Sequence, residues 1–133
     1  MTTDVHSREG AQLVLRDGRR LGYAQYGQPD GEPIVYFHGH PGSRLEARLA
    51  HEPAAAPGLR VIALDRPGYG LSDFLPGRAI TDWPADVTAA ADALGIGRFS
   101  VAGASGGGPR WAGTRPGSFR AATPRCFRAR AIC

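Results

Sequence analysis

The sequence predicts an α/β fold: an opening antiparallel hairpin, then parallel strands alternating with helical segments, then a tail without regular pattern. Three observations carry this. Pro33–His38 (PIVYFH), Leu59–Leu64 (LRVIAL) and Phe99–Ala102 are short, continuous apolar runs of the kind that form strands buried on both faces. Between the second and third lies Thr81–Leu94, which reads as a helix. Ahead of all three, two β-prone runs flank a turn containing Asp-Gly. Buried strands separated by helical connections specify a sheet that is parallel after its first hairpin.

Taken in order, Gln12–Leu15 and Leu21–Tyr26 are the arms of the hairpin, with Arg16–Arg19 as its turn. The segment Gly27–Gly31 is rich in turn formers and leads into Pro33–His38, which Gly39 ends. Arg44–Ala50 predicts a short helix that stops before Pro53. Leu59–Leu64 runs into the glycine-rich loop Asp65–Ser72. The helix over Thr81–Leu94 has Thr81 or Asp82 as N-cap, Pro84 in its first turn, an alanine-rich interior and Gly95 past its end. Phe99–Ala102 leads directly into Gly103-Ala104-Ser105-Gly106-Gly107-Gly108. Residues 110–133 carry Pro116 and Pro124, show no helical or alternating period, and contain no apolar run of strand length.

Charge divides the chain at the same place. The 133 residues include sixteen arginines and no lysine, for a net charge of +4. Residues 1–109 hold ten arginines and all twelve carboxylates, net −2, whereas residues 110–133 hold six arginines and no acid, net +6. The basic total therefore describes a slightly acidic body with a basic tail. With 42% hydrophobic and 21% charged residues the chain has the composition of a folded domain, and its length allows only one. No apolar stretch approaches the roughly 18 residues that would suggest a membrane span, and Met1–Gly10 is polar, so a cytoplasmic location is the default expectation. Cys126 and Cys133 lack metal-site spacing and are assigned neither a metal nor a disulfide.

Three glycine-rich corners follow the three buried strands. In Gly103-Ala104-Ser105-Gly106-Gly107 the spacing Gly-x-Ser-x-Gly suits a nucleophile elbow, a strained strand-to-helix turn that holds a serine hydroxyl above the sheet. Glycines two positions either side keep side chains clear of the reversal. The same composition suits an ordinary loop, and its position after a buried strand favours the elbow. His38-Gly39-His40-Pro41-Gly42 would fold a tight loop whose backbone N–H groups point inward, as a developing oxyanion requires. Its two histidines have no third metal ligand at suitable spacing. Asp65-Arg66-Pro67-Gly68-Tyr69-Gly70-Leu71-Ser72 starts a GxG, but the third glycine of a dinucleotide fingerprint is missing and no helix follows at once.

HGHPG, DRPGYGLSD and GASGG, in this order and each after a buried strand, closely resemble the α/β-hydrolase fold family. The likeness is strongest to its branch of small esterases, amidases, aminopeptidase-like enzymes and ring-opening hydrolases with an HGxPG loop. It covers about residues 10–109, roughly the first half of that fold, so the expected architecture is an incomplete hydrolase sheet followed by an irregular tail. The resemblance implies Ser105 as nucleophile, the backbone N–H groups of His40 and Gly106 as oxyanion hole, and framework roles for His38, Gly39, Asp65, Arg66, Gly103 and Gly107. A serine, where dehalogenase and epoxide-hydrolase relatives use aspartate, implies an acyl-enzyme, an ester or amide substrate, and no cofactor.

In this family the triad acid and the histidine follow the serine in sequence. Here His6, His38, His40 and His51 all precede Ser105, and no Asp, Glu or His follows it. The chain alone is therefore expected to be nearly inactive, with His40 a poor candidate for a makeshift base. Three readings of the last residues stand: a change of reading frame that replaces the second half, a basic tail with weak, nonspecific affinity for nucleic acid or an anionic membrane surface, or a second chain that completes the enzyme. None predicts a specific nucleic-acid or membrane partner. The family's sheet order also leaves the outer edge of the Phe99–Ala102 strand open, which predicts self-association along it.

Overall fold

The computed structural model describes residues 8–104 and the backbone of 127–129. Six strands, β1 (Ala11–Val14), β2 (Arg20–Gly27), β3 (Glu32–Phe37), β4 (Leu59–Leu64), β5 (Phe99–Gly103) and β6 (Phe127–Ala129), form one sheet in the order β1-β2-β4-β3-β5-β6. β1 and β2 pair antiparallel as a hairpin, with Val14 opposite Arg20, and β2 runs antiparallel to β4. From there the sheet is parallel: Phe37 at the end of β3 lies beside Leu64 of β4 on one side and Gly103 of β5 on the other. The expected hairpin, buried strands and parallel sheet are all present.

Alternation along the strands divides the core between two faces. On one, Leu21, Val35, Phe37, Ile62, Leu64, Phe99 and Val101 pack beneath helix α2 (Trp83–Ala93), which contributes Trp83, Val87, Ala90 and Ala91. Phe37 and Trp83 meet edge to face with centroids 5.5 Å apart. On the other, Ala24, Tyr26, Val61 and Ala63 receive Ala47 and Ala54. The small residues on that face let a 3-10 segment, Arg44–Ala50, and helix α1 (His51–Ala55) lie close to the sheet.

Arg44–Ala50 is thus helical over its predicted bounds and ends before Pro53; what the sequence does not predict is α1, which follows directly. Pro53 is the third residue of α1, where a backbone N–H has no partner within the helix, so its missing donor costs nothing. The second predicted helix is preceded by a 3-10 turn, Ile80–Asp82. Asp82 occupies the N-cap of α2, but its carboxylate accepts the Ala79 N–H at 2.7 Å instead of a helix N–H. At the other end Gly95 adopts φ +68°, with Gly95 N–H bonded to Asp92 O at 3.1 Å and Ile96 N–H to Ala91 O at 2.8 Å. This is a Schellman closure, and it requires a left-handed residue at position 95.

One expectation is corrected. Residues 110–133 contain no apolar run of strand length, yet Phe127–Ala129 forms β6, parallel to β5, with Phe99 opposite Phe127 and Val101 opposite Ala129. Pairing needs only backbone donors and acceptors, which any non-proline triplet supplies. The outer edge of β5 is therefore covered over Phe99–Val101, and β6 is the outermost strand among the described residues. The rest of the predicted tail, 110–126 and 130–133, lies outside the described residues. Among the described residues no helix is long and apolar enough to cross a membrane.

Candidate functional site

β3, β4 and β5 are parallel neighbours, so the segments that follow them emerge at one edge of the sheet. These are the His38–Gly42 loop, the Asp65–Ser72 loop and the chain entering Ser105. Such a carboxyl edge is where open α/β sheets place their ligands. Ala104 is held there by its N–H on Phe37 O at 3.3 Å, directly beside His38. Gly103 closes β5; Ser105, Gly106 and Gly107 lie outside the described residues.

His38 is fully buried. Its Nδ1 lies 2.8 Å from Gly39 O and its Nε2 accepts the Arg66 N–H at 3.1 Å, so the ring is the neutral Nδ1–H tautomer. Burial pushes its pKa below the ordinary histidine value, in keeping with a proton shared only with a carbonyl. The Arg66 guanidinium in turn donates to His38 O and lies 5.9 Å from the Tyr69 ring centroid. The His38–Gly42 and Asp65–Ser72 corners are thus locked together through His38 and Arg66.

Asp65, also fully buried, is the hub of the third corner. Its Oδ1 accepts the Arg44 N–H at 2.7 Å; its Oδ2 accepts Arg44 Nη1 at 2.9 Å and the Leu71 N–H at 2.8 Å. Its backbone N–H reaches Gly22 O at 2.8 Å, and its carbonyl accepts the Ser72 hydroxyl at 2.6 Å. A Cβ on Gly70, whose φ is +50°, would sit 2.3 Å from Oδ2, so only glycine lets the loop wrap this carboxylate.

The His40 loop is more open. The Gly39 N–H is bound by Glu46 Oε2 at 3.0 Å, while among the described residues the N–H of His40 has no acceptor. Glu46 Oε1 accepts the Tyr36 hydroxyl at 2.8 Å; burial, then the carboxylate, raises that phenol's pKa. The His40 side chain is exposed, with Nδ1 hydrogen-bonded to the Tyr69 hydroxyl and the two rings edge to face, centroids 5.7 Å apart. The His40–Pro41 peptide is cis. Among the described residues no three His, Cys, Asp or Glu side chains are grouped so as to hold a metal ion.

Sequence reasoning found His38, His40, Asp65 and Arg66 but not Arg44, Glu46 or Tyr69. Arg44 and Glu46 stand in an apparent surface helix, where charged residues are ordinarily solvated, and no spacing singles them out. Tyr69 lies within a corner that was recognised by its glycines.

Comparison with known proteins agrees with this architecture. The family described as alpha/beta hydrolase fold matches residues 32–110. A proline iminopeptidase of Xylella fastidiosa is 36% identical over 109 residues, covering 78% of this chain and 34% of that protein. A non-heme chloroperoxidase of Streptomyces lividans is 36% identical over 104 residues, covering 72% and 36%. Among solved structures, an alpha/beta hydrolase from Sphaerobacter thermophilus superposes with a TM-score of 0.61 at 32% identity, over 73% of this chain and 36% of that one. An esterase from Exiguobacterium antarcticum gives a TM-score of 0.65 at 27% identity, over 75% and 37%. The chain spans about a third of the length of the curated relatives it matches. On its matched residues and its strand order, the chain belongs to the α/β hydrolase fold family.

Proposed function

We propose that this chain carries the nucleophile and oxyanion half of a serine-hydrolase site acting on ester or amide bonds. The observation that supports it is the His38–Gly42 and Asp65–Ser72 loops meeting at the carboxyl edge of β3 and β4, with Ala104 at the end of β5 bonded beside His38 and the His40 N–H without an acceptor among the described residues. In this reading Ser105 Oγ attacks the substrate carbonyl carbon, and the His40 and Gly106 N–H groups hold the resulting oxyanion. The leaving group departs with a proton, and water then releases the acyl group.

The step that lacks a partner is proton removal from Ser105, because no Asp, Glu or His follows it in the sequence. Residues 105–133 supply neither that base nor an acid to orient it, so we expect this polypeptide by itself to be a poor catalyst. We expect a fluorophosphonate probe to form one slow adduct that maps to Ser105 by mass spectrometry and is absent in Ser105→Ala. Hydrolysis of p-nitrophenyl acetate should be equal in the two proteins. An adduct elsewhere or none at all overturns the nucleophile assignment; turnover lost in Ser105→Ala overturns the missing base.

A further inference from the structure

Residues 40–42 make no backbone hydrogen bonds among the described residues, so apart from the His40–Tyr69 contact the geometry of this loop depends on its two ends. At the first end the Gly39 N–H rests on Glu46. At the other stands Arg44, one of the few buried charged residues in the protein. Its backbone N–H and Nη1 grip both oxygens of Asp65, at 2.7 and 2.9 Å, and its Nε donates to Glu9 O at 2.6 Å. Glu9 is fixed in turn: its carboxylate accepts Arg48 at 2.7 and 2.9 Å and the Tyr26 hydroxyl at 2.9 Å. A continuous chain of polar contacts thus runs from the N-terminal turn, through Arg44, to the carboxylate that holds the Leu71 N–H.

From this arrangement we infer that Arg44 is a positioning residue of the candidate site, which, beside the His38–Arg66 and His40–Tyr69 contacts, sets the His40 loop against the Asp65–Ser72 loop. The fork geometry matters. A guanidinium can donate to the Asp65 carboxylate and the Glu9 carbonyl at once from one rigid plane, whereas a lysine ammonium is a single point charge. Arg44→Lys keeps the charge beside Asp65 and loses the link to Glu9. Its role in catalysis rests on the serine-hydrolase reading; its role in placing the loop does not.

The test is amide hydrogen exchange by NMR on the full chain. In Arg44→Lys the Gly39 and Leu71 amides should exchange at least about tenfold faster, while Ala90 and Ala91 in α2 change less than about twofold. Unchanged Gly39 and Leu71, or equal acceleration in α2, overturns the inference, since the latter is what general destabilisation produces. Should Arg44→Lys not fold, Glu9→Gln loosens the Arg48 clamp with Arg44 in place. It should accelerate the same two amides by about threefold with α2 unmoved, and no local change there overturns the inference equally. Fluorophosphonate labelling of Ser105 should slow about tenfold in Arg44→Lys. If the wild-type chain forms no adduct, the serine-hydrolase reading falls, and exchange alone decides the place of Arg44.

Discussion

At the residue scale, the two fully buried ionisable groups nearest the site, Asp65 and His38, are managed in opposite ways. Asp65 is charged and surrounded by donors; His38 is neutral, its two ring nitrogens matched to one carbonyl and one N–H. Protonating His38 would place a second cation near Arg66 and turn Nε2 into a donor facing the Arg66 N–H. Its pKa is therefore lower in the folded chain than in the unfolded one, where it is about 6.5. The sign follows from linkage: below about pH 6.5 the unfolded state takes up a proton that the folded state refuses, so stability is full above that pH and falls as the solution is acidified. Urea unfolding at pH 7.5 and 5.5 should show this loss. His38→Asn, which keeps a donor for Gly39 O but cannot titrate, should be less stable by about 1–3 kcal/mol at pH 7.5 and should show a smaller difference between the two pH values. An undiminished pH dependence would mean that another group carries it.

At the scale of elements, the strands were legible because they are buried on both faces, and a run such as LRVIAL has few other uses. Their ends were less so. β1 is shifted by one residue, gaining Ala11 and losing Leu15, and β2 is longer by Arg20 and Gly27 than the apolar runs suggest, because pairing with a neighbour, not hydropathy, decides where a strand stops. Helix α1 goes unpredicted for a similar reason: proline reads as a stop, but in the first turn of a helix it is tolerated. At the site, the glycine corners announced themselves through spacing, whereas Arg44 is a buried charge whose partners, Asp65 and the Glu9 carbonyl, lie 21 and 35 residues away. Nothing local marks such a pair. Where a local rule applied directly it held, as at the end of α2. A Cβ on Gly95 meets nothing within 4 Å, so Gly95→Ala should cost only the left-handed backbone, about 1–2 kcal/mol by thermal or urea unfolding. A larger loss would mean that residue 95 does more than close the helix.

At the scale of the whole molecule, the sheet is asymmetric about the site. On the β4 side the strands continue through β2 to β1, the hairpin at the outer edge. On the β5 side only a three-residue strand follows, and it comes from the arginine-rich tail, whose sequence carries no pattern favouring a strand. β5 alternates Phe99 and Val101 into the core beneath α2, so its position matters to both the core and the loop that leads to Ser105. Its register with β6 ends at Val101, which leaves Ala102 and Gly103, nearest the site, without a β6 partner. An unpaired strand edge is a template for another chain. Deleting residues 110–133 removes β6 and all six arginines of the tail, exposing the full length of β5. Sedimentation or light scattering of the shortened protein should show association that grows with concentration beyond that of the full chain. Raising the salt concentration should not weaken it, since the contact would be made by backbone hydrogen bonds and apolar side chains, not by charge. If the shortened protein associates no more than the full chain, β6 is not what protects this edge; if salt disperses the assemblies, charge and not strand pairing holds them together.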